Sequence, residues 1–210
     1  MKNNTKIITT VAGAILLVGA LFYLGGKNKP SVPADNPAVN LHNHNMTANI
    51  SLAALNNLMN KPVLDFSLAD RDGNVYSPAN LRGKNVVLFF NEGLMCYPAC
   101  WNQIVSLSKD ERFKNEDTVV LSVVVDSKND WQQAINKMSE LAQATVVFDT
   151  GAIIAKKFGA LTAPSSMHVG LFPGHTYVLM DKEGIVRFVF DDPNMGIHND
   201  QLVAEIAKLK

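Results

Sequence analysis

The two cysteines of the chain, Cys96 and Cys100, form the pattern C-x-x-x-C in the stretch MCYPACW. Residues at this spacing in one helical turn lie on the same face with Cα atoms about 6 Å apart, which is within reach of a disulfide. A disulfide that closes so short a loop restricts the unfolded chain little, so its stabilising effect would be small. The pair is therefore better explained by reversible thiol chemistry or by metal binding than by a structural role.

Both cysteines lie between a predicted strand and a predicted helix. The continuous apolar run from Val86 to Phe90 is typical of a buried strand, and a helical pattern extends from about Pro98 to Lys109. Unpaired N–H groups and the positive end of the helix dipole stabilise a thiolate, which lowers the pKa of a cysteine below its usual value of about 8.5. Glu92 could accept a proton from either thiol if its loop folds over them, although a solvated loop carboxylate is the simpler interpretation.

From Lys61 onward the chain alternates between strand patterns and helix patterns. A βαβαβ series is followed by a hairpin with its turn at Asp181 to Gly184 and by a closing helix. This order predicts an α/β protein with a thioredoxin-like fold, in which a central mixed sheet is flanked by helices. The predicted strands cover residues 63–68, 86–90, 119–125, 145–148, 176–180 and 185–190, and the predicted helices cover residues 98–109, 130–141, 152–158 and 199–209.

An uncharged apolar run, IITTVAGAILLVGALFYLG, extends from Ile7 to Gly25. Its length of about 19 residues is enough for a helix to cross the hydrocarbon core of a bilayer. The bulky sequence FYL stands where a signal peptidase site would require small residues, and slightly more positive charge precedes the run than follows it. We therefore expect residues 1–26 to be a membrane anchor with one transmembrane helix at 7–25, and the C-terminal domain to be extracytoplasmic.

Composition limits the remaining possibilities. The chain has 210 residues, 19 Lys and Arg against 19 Asp and Glu, and 47% hydrophobic residues. A net charge of zero argues against electrostatic nucleic-acid binding, and one globular domain with an appendage fits this length. We expect residues 27–60 to form a linker with a short amphipathic helix at 47–59, and residues 61–210 to form the globular domain.

Five dispersed stretches of the chain are LRGKNVVLFF, SVVVDSKNDW, FDTGAIIAKKFGAL, YVLMDKEGIVRFVF and DDPNMGIHNDQLVAEI. In this order they resemble segments of the peroxiredoxins of the alkyl hydroperoxide reductase and thiol-specific antioxidant type, which are redoxins of the thioredoxin-like superfamily. The resemblance covers roughly Lys61 to the C-terminus. It implies an antioxidant enzyme in which a cysteine thiolate attacks a peroxide, becomes a sulfenic acid and is resolved by a second thiol to a disulfide. An external thioredoxin-like thiol reductant would reopen this redox-active disulfide, and no cofactor is implied.

Within this resemblance Cys100 matches the cysteine that attacks peroxide, because a glutamine follows it three residues on. Cys96 is then an additional residue, and resolution within the chain must use it because no cysteine follows Cys100. Tyr97 stands in place of the family's threonine, and His175 stands in place of its active-site arginine, which removes a permanent cation and a bidentate donor. The resemblance thus implies catalytic roles for Cys96 and Cys100, with Glu92, Tyr97 and His175 as candidate supporting residues and no metal ligand.

Two other interpretations of the thiol pair stay open. In a thioredoxin-type protein disulfide reductase Cys96 would attack and Cys100 would resolve, with Pro164 or Pro173 as the cis-proline that faces the pair. In a Sco-type copper chaperone Cys96, Cys100 and His175 would bind copper, because thiolates and imidazole suit a soft metal.

Two histidines and two tryptophans of the domain are expected to have structural rather than catalytic roles. We expect His168 and His198 to lie on the surface, since the sequence suggests no partner for either. Trp101 and Trp131 are expected to pack in or at the rim of the core.

Overall fold

The fold is built on one seven-stranded sheet in a computed structural model that describes residues 52–209. The order of its strands is β2-β1-β5-β4-β3-β6-β7, with β3, β4 and β5 parallel and β6 antiparallel to β3. The sheet is therefore mixed, as the element order predicts. Its strands are β1 (Leu68–Asp70), β2 (Val75–Tyr76), β3 (Asn85–Phe90), β4 (Thr118–Val124), β5 (Val146–Phe148), β6 (Thr176–Met180) and β7 (Val186–Asp191).

Strand β3 is buried along its whole length and divides the core into two clusters. Alternate side chains of a strand point to opposite faces of the sheet. Phe90 accordingly packs in the cluster that contains Phe158, and Phe89 packs in the cluster that contains Trp101 and Ile104. A strand covered on both faces is uniformly apolar, which explains the run seen in the sequence.

Four helices accompany the sheet. Helix α1 continues the chain after β3, and Ser127 caps the second helix by accepting a hydrogen bond from the backbone N–H of Asp130 at 3.1 Å. A further short helical segment covers residues 52–56. The helices are α1 (Ala99–Lys109), α2 (Lys128–Lys137), α3 (Ile153–Lys157) and α4 (Asn199–Ile206), and 3-10 turns cover Gly93–Cys96, Glu111–Phe113, Ser139–Gln143 and Ala160–Thr162.

Two elements differ from the sequence prediction. The predicted strand at 63–68 begins only at Leu68, because the backbone before it pairs with the hairpin turn, where Val63 N–H donates to the carbonyl of Gly184. The helix predicted to reach Leu141 ends at Lys137, because the extended backbone of Met138 interrupts it. A 3-10 turn then returns Leu141 to the core cluster of Trp131.

The predicted membrane anchor (1–26) and most of the predicted linker (27–60) lie outside the described residues, so both stay predictions. Within the described part, residues 52–56 are helical and fall inside the predicted amphipathic helix at 47–59, the described helix ends at residue 56 rather than 59, and Leu55 is buried. No helix between residues 52 and 209 has the length and apolar character that crossing a membrane requires.

Candidate active site

A disulfide joins Cys96 and Cys100 after the carboxyl end of β3, and their Cα atoms are 5.4 Å apart. Cys96 ends the 3-10 turn that begins at Gly93, whereas Cys100 lies in the first turn of α1. The expectation that both cysteines share one helical turn is wrong, because Tyr97 between them has extended backbone. Both sulfurs are nevertheless buried side by side at the start of the helix, as the redox interpretation requires.

The turn before Cys96 is held by Asp126 and Trp101. Oδ2 of Asp126 accepts a hydrogen bond from Leu94 N–H at 3.1 Å, and Nε1 of Trp101 donates to the carbonyl of Gly93 at 3.0 Å. Gly93 has a φ of 59°, and a Cβ at this position would overlap Oδ2 of Asp126. The glycine therefore lets a carboxyl group, whose pKa is raised by burial, approach the backbone beside the disulfide.

His175 lies immediately before β6 and contacts one of the two sulfurs. Its Nδ1 is 3.6 Å from Sγ of Cys100, and its Nε2 is 2.8 Å from the hydroxyl oxygen of Tyr177. Burial lowers the pKa of His175 to about 4, against a weaker opposing effect of the Asp192 carboxylate. The ring is therefore neutral at pH 7 in the oxidised protein, and one of its two nitrogens has a free lone pair.

Cys96 has a different neighbour. Its Sγ lies 3.7 Å from Sδ of Met195, in the loop between β7 and α4. The residues on either side of Cys96, Met95 and Tyr97, are 53% and 49% exposed. Cys96 thus lies between a thioether and two partly exposed side chains, and the closest contact of its sulfur outside the disulfide is with Met195 rather than with a titratable group.

The loop that carries Met195 is ordered around one carboxylate. Asp192 accepts hydrogen bonds from the backbone N–H groups of Asn194 and Gly196 and contacts Nε2 of His198 at 2.7 Å. Burial acts to raise the pKa of Asp192, but these hydrogen bonds together hold it below its usual value. His198 is therefore not the unpartnered surface residue expected from sequence.

Gln103 connects this loop to the helix that carries Cys100. Its Oε1 accepts a hydrogen bond from the backbone N–H of His198 at 2.8 Å, and its Nε2 donates to Asn199 at 3.0 Å. Gln103 is completely buried and lies one turn after Cys100. Through these two hydrogen bonds it links α1 to the start of α4. The glutamine noted in the sequence therefore has a structural partner.

Glu92 is buried, so the solvated loop carboxylate expected from sequence is wrong. Its Oε1 accepts hydrogen bonds from the backbone N–H groups of Met167 and His168 at 2.6 and 3.1 Å. Its Oε2 contacts Nδ1 of His168 at 3.0 Å, so His168 also has a partner. Both oxygens of Glu92 are thus engaged by residues 167–168, and proton transfer from a thiol to Glu92 stays a prediction.

Tyr97 faces helix α2. Its ring packs edge-on against Trp101 with centroids 4.9 Å apart, and Nζ of Lys137 lies 3.8 Å from the ring centroid. Its peptide bond to Pro98 is cis, whereas neither of the prolines suggested from sequence, at 164 and 173, follows a cis bond. Trp101 and Trp131 are both buried, as predicted, and their rings contact each other edge-on.

Sequence reasoning missed Tyr177 and Met195. Tyr177 could have been found, because residues two apart in a strand point to the same face and His175 was already a candidate. Met195 contacts Cys96 although the two residues are 99 positions apart, and no local sequence pattern predicts such a contact.

Two cavities, of about 160 and 480 Å³, are separate from the disulfide. The first is lined by residues that include Arg71 and Leu141, and the second by residues that include Phe113 and Val120. Neither lining contains a cysteine or His175, so neither belongs to the candidate site.

The disulfide site with His175 contains the types of donor atom that a soft metal prefers. The ligand atoms of Cys96, Cys100 and His175 all lie within 4.8 Å of one another, and all three residues are buried. Reduced thiolates with a neutral imidazole suit Cu(I) or Zn(II), whereas the disulfide offers no thiolate. The residues therefore fit a metal only in the reduced state.

Comparison with known proteins places these features in context. The AhpC/TSA family model matches residues 59–189. The protein named "Peroxiredoxin Q, chloroplastic" from Triticum aestivum is 28% identical over 134 residues, which make up 61% of this chain and 56% of that protein. The chain thus matches little more than half the length of that relative.

Solved structures show the same fold. The mitochondrial 2-Cys peroxiredoxin from Plasmodium falciparum is similar with a TM-score of 0.60 and 19% identity, covering 71% of this chain and 92% of that one. A protein from Bacteroides thetaiotaomicron described as a putative protein disulfide isomerase is similar with a TM-score of 0.55 and 22% identity, covering 72% and 89%. The predicted α/β thioredoxin-like fold, with its central sheet flanked by helices, is confirmed.

Proposed function

The chain belongs to the AhpC/TSA family, and from that premise we propose that it is a thiol-dependent peroxidase that uses Cys96 and Cys100. The observation that carries the proposal is the 3.6 Å contact between Sγ of Cys100 and Nδ1 of the buried, neutral His175. A base within hydrogen-bond reach can convert a thiol to the nucleophilic thiolate. Cys100 is accordingly the attacking residue, and Cys96 is the resolving residue.

The first step consumes the peroxide. After reduction, the Cys100 thiol transfers its proton to Nδ1 of His175, and the thiolate attacks the terminal oxygen of the peroxide. An S–O bond forms, the O–O bond breaks, and the leaving alkoxide or hydroxide takes the proton back from the imidazolium. Cys100 is then a sulfenic acid and the product is an alcohol or water.

The second step closes the disulfide. The Cys96 thiol attacks the sulfenic sulfur of Cys100, so that an S–S bond forms, the S–O bond breaks and water leaves. An external dithiol then reduces this disulfide and becomes oxidised in turn. Cys96 is the better target for that reductant, because partly exposed residues flank it in the chain. Overall, one peroxide and two thiols give an alcohol, a water molecule and one disulfide.

His175 supplies part of the positive charge that the active-site arginine supplies in the family. An arginine is a permanent cation, whereas His175 is neutral until it receives the thiol proton. The resulting imidazolium and thiolate have opposite charges 3.6 Å apart in a buried site, which favours the charged form of each. His175 therefore supplies a positive charge only when Cys100 is reduced and ionised.

The proposal is tested by challenging the reduced, full-length protein anaerobically with a peroxide and, in parallel, with a protein disulfide. We expect catalytic peroxide consumption when a thioredoxin-like reductant is supplied. In the disulfide-reductase alternative Cys96 would attack, and the disulfide substrate would be turned over while peroxide accumulated unreacted. The contact of His175 with Cys100 supports the first outcome.

Copper binding is a second candidate function, favoured by the spacing of Cys96, Cys100 and His175 within 4.8 Å. Its test is Cu(I) retention by the reduced chain under anaerobic conditions, with the oxidised chain as the control for other copper sites. One tightly held Cu(I) per reduced chain, weakened at least about tenfold by His175→Ala, would favour copper delivery over peroxide reduction. We expect no such retention.

We further propose that the uncharged run at residues 7–25 anchors this enzyme in a membrane, with the catalytic domain on the extracytoplasmic side. The support for this proposal is the length and composition of that run. A reporter that is active only in the cytoplasm, fused after Lys210, should remain inactive. Strong reporter activity would reject the topology, and release of the protein by alkaline carbonate would reject the anchor.

A further inference from the structure

The imidazole of His175 has one side-chain neighbour at each ring nitrogen, and the backbone of Gly196 also hydrogen-bonds to the ring. Nδ1 faces Sγ of Cys100, and Nε2 lies 2.8 Å from the hydroxyl oxygen of Tyr177. A neutral imidazole has one N–H donor and one bare nitrogen acceptor, and its partners decide which nitrogen has the proton. Only a ring protonated at Nε2 leaves Nδ1 free to accept the proton of the Cys100 thiol.

Tyr177 is rigidly placed against Nε2 of the ring. It lies in β6, between β3 and β7, and is completely buried. Its ring stacks on Phe89 with centroids 4.6 Å apart and on Phe190 with centroids 6.1 Å apart. The packing of this aromatic stack determines where the hydroxyl lies, and the hydroxyl oxygen can accept a hydrogen bond while keeping its own proton.

We propose that Tyr177 is a positioning residue for the thiol chemistry: its hydroxyl accepts Nε2–H of His175 and thereby keeps Nδ1 free to take the proton of Cys100. The inference rests on the proposed function, because it assumes that Cys100 is the attacking thiol. When the proton moves from Sγ to Nδ1, the imidazolium still donates Nε2–H to the phenol oxygen. Tyr177 thus stabilises the charged ring without gaining or losing a proton itself.

Other ionisable groups also face His175. Cys100 faces it from α1, the sulfur of Cys96 lies within 4.8 Å, and Asp192 and His198 face it from the loop after β7. The Asp192 carboxylate favours the protonated ring and His198 opposes it, with burial the largest influence. All of these groups are retained when the Tyr177 hydroxyl alone is removed, so Tyr177→Phe isolates one hydrogen bond.

The test is the pH dependence of Cys100 alkylation by iodoacetamide in the full-length protein with Cys96→Ser, so that one thiol reacts. Tyr177→Phe should raise the midpoint of the rate profile by about one pH unit, which is a tenfold lower rate on the acidic side. The plateau rate at high pH should be unchanged. Tyr76→Phe, which removes a distant hydroxyl bonded to Asp70, is the matched control and should leave the midpoint unchanged.

An unchanged midpoint in Tyr177→Phe would overturn the inference, and so would a lower plateau with an unchanged midpoint, which indicates a packing role alone. His175→Asn separates this failure from failure of the proposed function. If His175→Asn raises the midpoint and Tyr177→Phe does not, only the inference on Tyr177 fails. If neither variant changes the midpoint, the proposed base fails as well.

A second measurement needs no substitution at Tyr177. The ¹⁵N chemical shifts of His175 in the reduced protein report which nitrogen is protonated. We expect a protonated Nε2 and a bare Nδ1 in the neutral ring at pH 8. A bare Nε2 at that pH would overturn the inference even if Tyr177→Phe failed to fold.

Discussion

The carboxylate of Glu92 holds the backbone of residues 167–168 and the ring of His168 against the segment that leads into the disulfide. Three contacts, at 2.6, 3.1 and 3.0 Å, engage its two oxygens, and Glu92 itself is completely buried. A buried carboxylate is tolerated when hydrogen-bond donors surround it, and backbone N–H groups are suitable donors. Glu92 therefore joins the end of β3 to a distant loop beside the active site.

Glu92→Gln should destabilise the oxidised protein by about 1–3 kcal/mol, because it removes the charge that strengthens these hydrogen bonds and places an amide group where donors converge. The free energy of unfolding in urea measures this effect. Glu116→Gln, at an exposed position, is the control and should change stability by less than about 0.5 kcal/mol. Equal effects of the two substitutions would show that the Glu92 contacts contribute nothing specific.

Gly93 should tolerate alanine poorly. Gly93→Ala combines the cost of a left-handed backbone with a clash that moves Asp126 away from Leu94 N–H, so we expect a loss of about 2–4 kcal/mol in stability. Gly73→Ala is the matched control, because Gly73 also has a positive φ of 89° but a Cβ there has no neighbour within 4 Å. The free energies of unfolding in urea then compare backbone strain alone, in Gly73→Ala, with backbone strain plus the clash with Asp126, in Gly93→Ala. Similar losses in the two would contradict the proposed role of Asp126.

Protonation of His175 should make the oxidised fold less stable in mild acid. The pKa of His175 is about 4 in the folded chain and about 6.5 in the unfolded chain, so the unfolded state binds the additional proton between these values. Stability is therefore fully present above pH 6.5 and decreases as the pH falls toward 4. The expected loss between pH 7 and pH 5 is about 2 kcal/mol, from urea unfolding at each pH.

His175→Asn provides the comparison for this pH dependence, because every other titrating group is retained. Between pH 7 and pH 5 the free energy of unfolding should fall by about 2 kcal/mol less in the variant than in the parent protein. If it does not fold, NMR titration of the parent decides the point. A ring that titrates between pH 6 and 7 in the oxidised protein would contradict the assignment of a buried, neutral His175.

Local sequence patterns predicted the fold well and the site only in part. The apolar run of β3 and the helical period after Pro98 are local signals, and both elements form within one or two residues of the expected positions. The C-x-x-x-C spacing predicted that the two sulfurs meet, although Cys96 ends a separate turn. These features depend on neighbours in the sequence, so the sequence displays them.

The surroundings of the sulfurs depend on contacts between distant segments. Glu92 meets His168 across 76 positions, and Cys100 meets His175 across 75. His175 was found only through the resemblance to known families, and the partner of His168, whose side chain is 37% exposed, was missed because nothing near it in sequence supplies one. Tertiary packing, which brings the loops after β3, α3 and β7 together, determines these contacts.

The most direct test of the account is mass spectrometry of the two single-cysteine variants after one equivalent of peroxide in the presence of a sulfenic acid trap. Cys96→Ser should consume the peroxide and form a trapped sulfenic acid at Cys100. In this variant the Cys100 thiol retains its contact with His175 and has no resolving cysteine. Cys100→Ser should remain unmodified at Cys96. Trapping at Cys96 in Cys100→Ser, with an unreacted Cys100 in Cys96→Ser, would contradict the assignment of Cys100 as the attacking thiol.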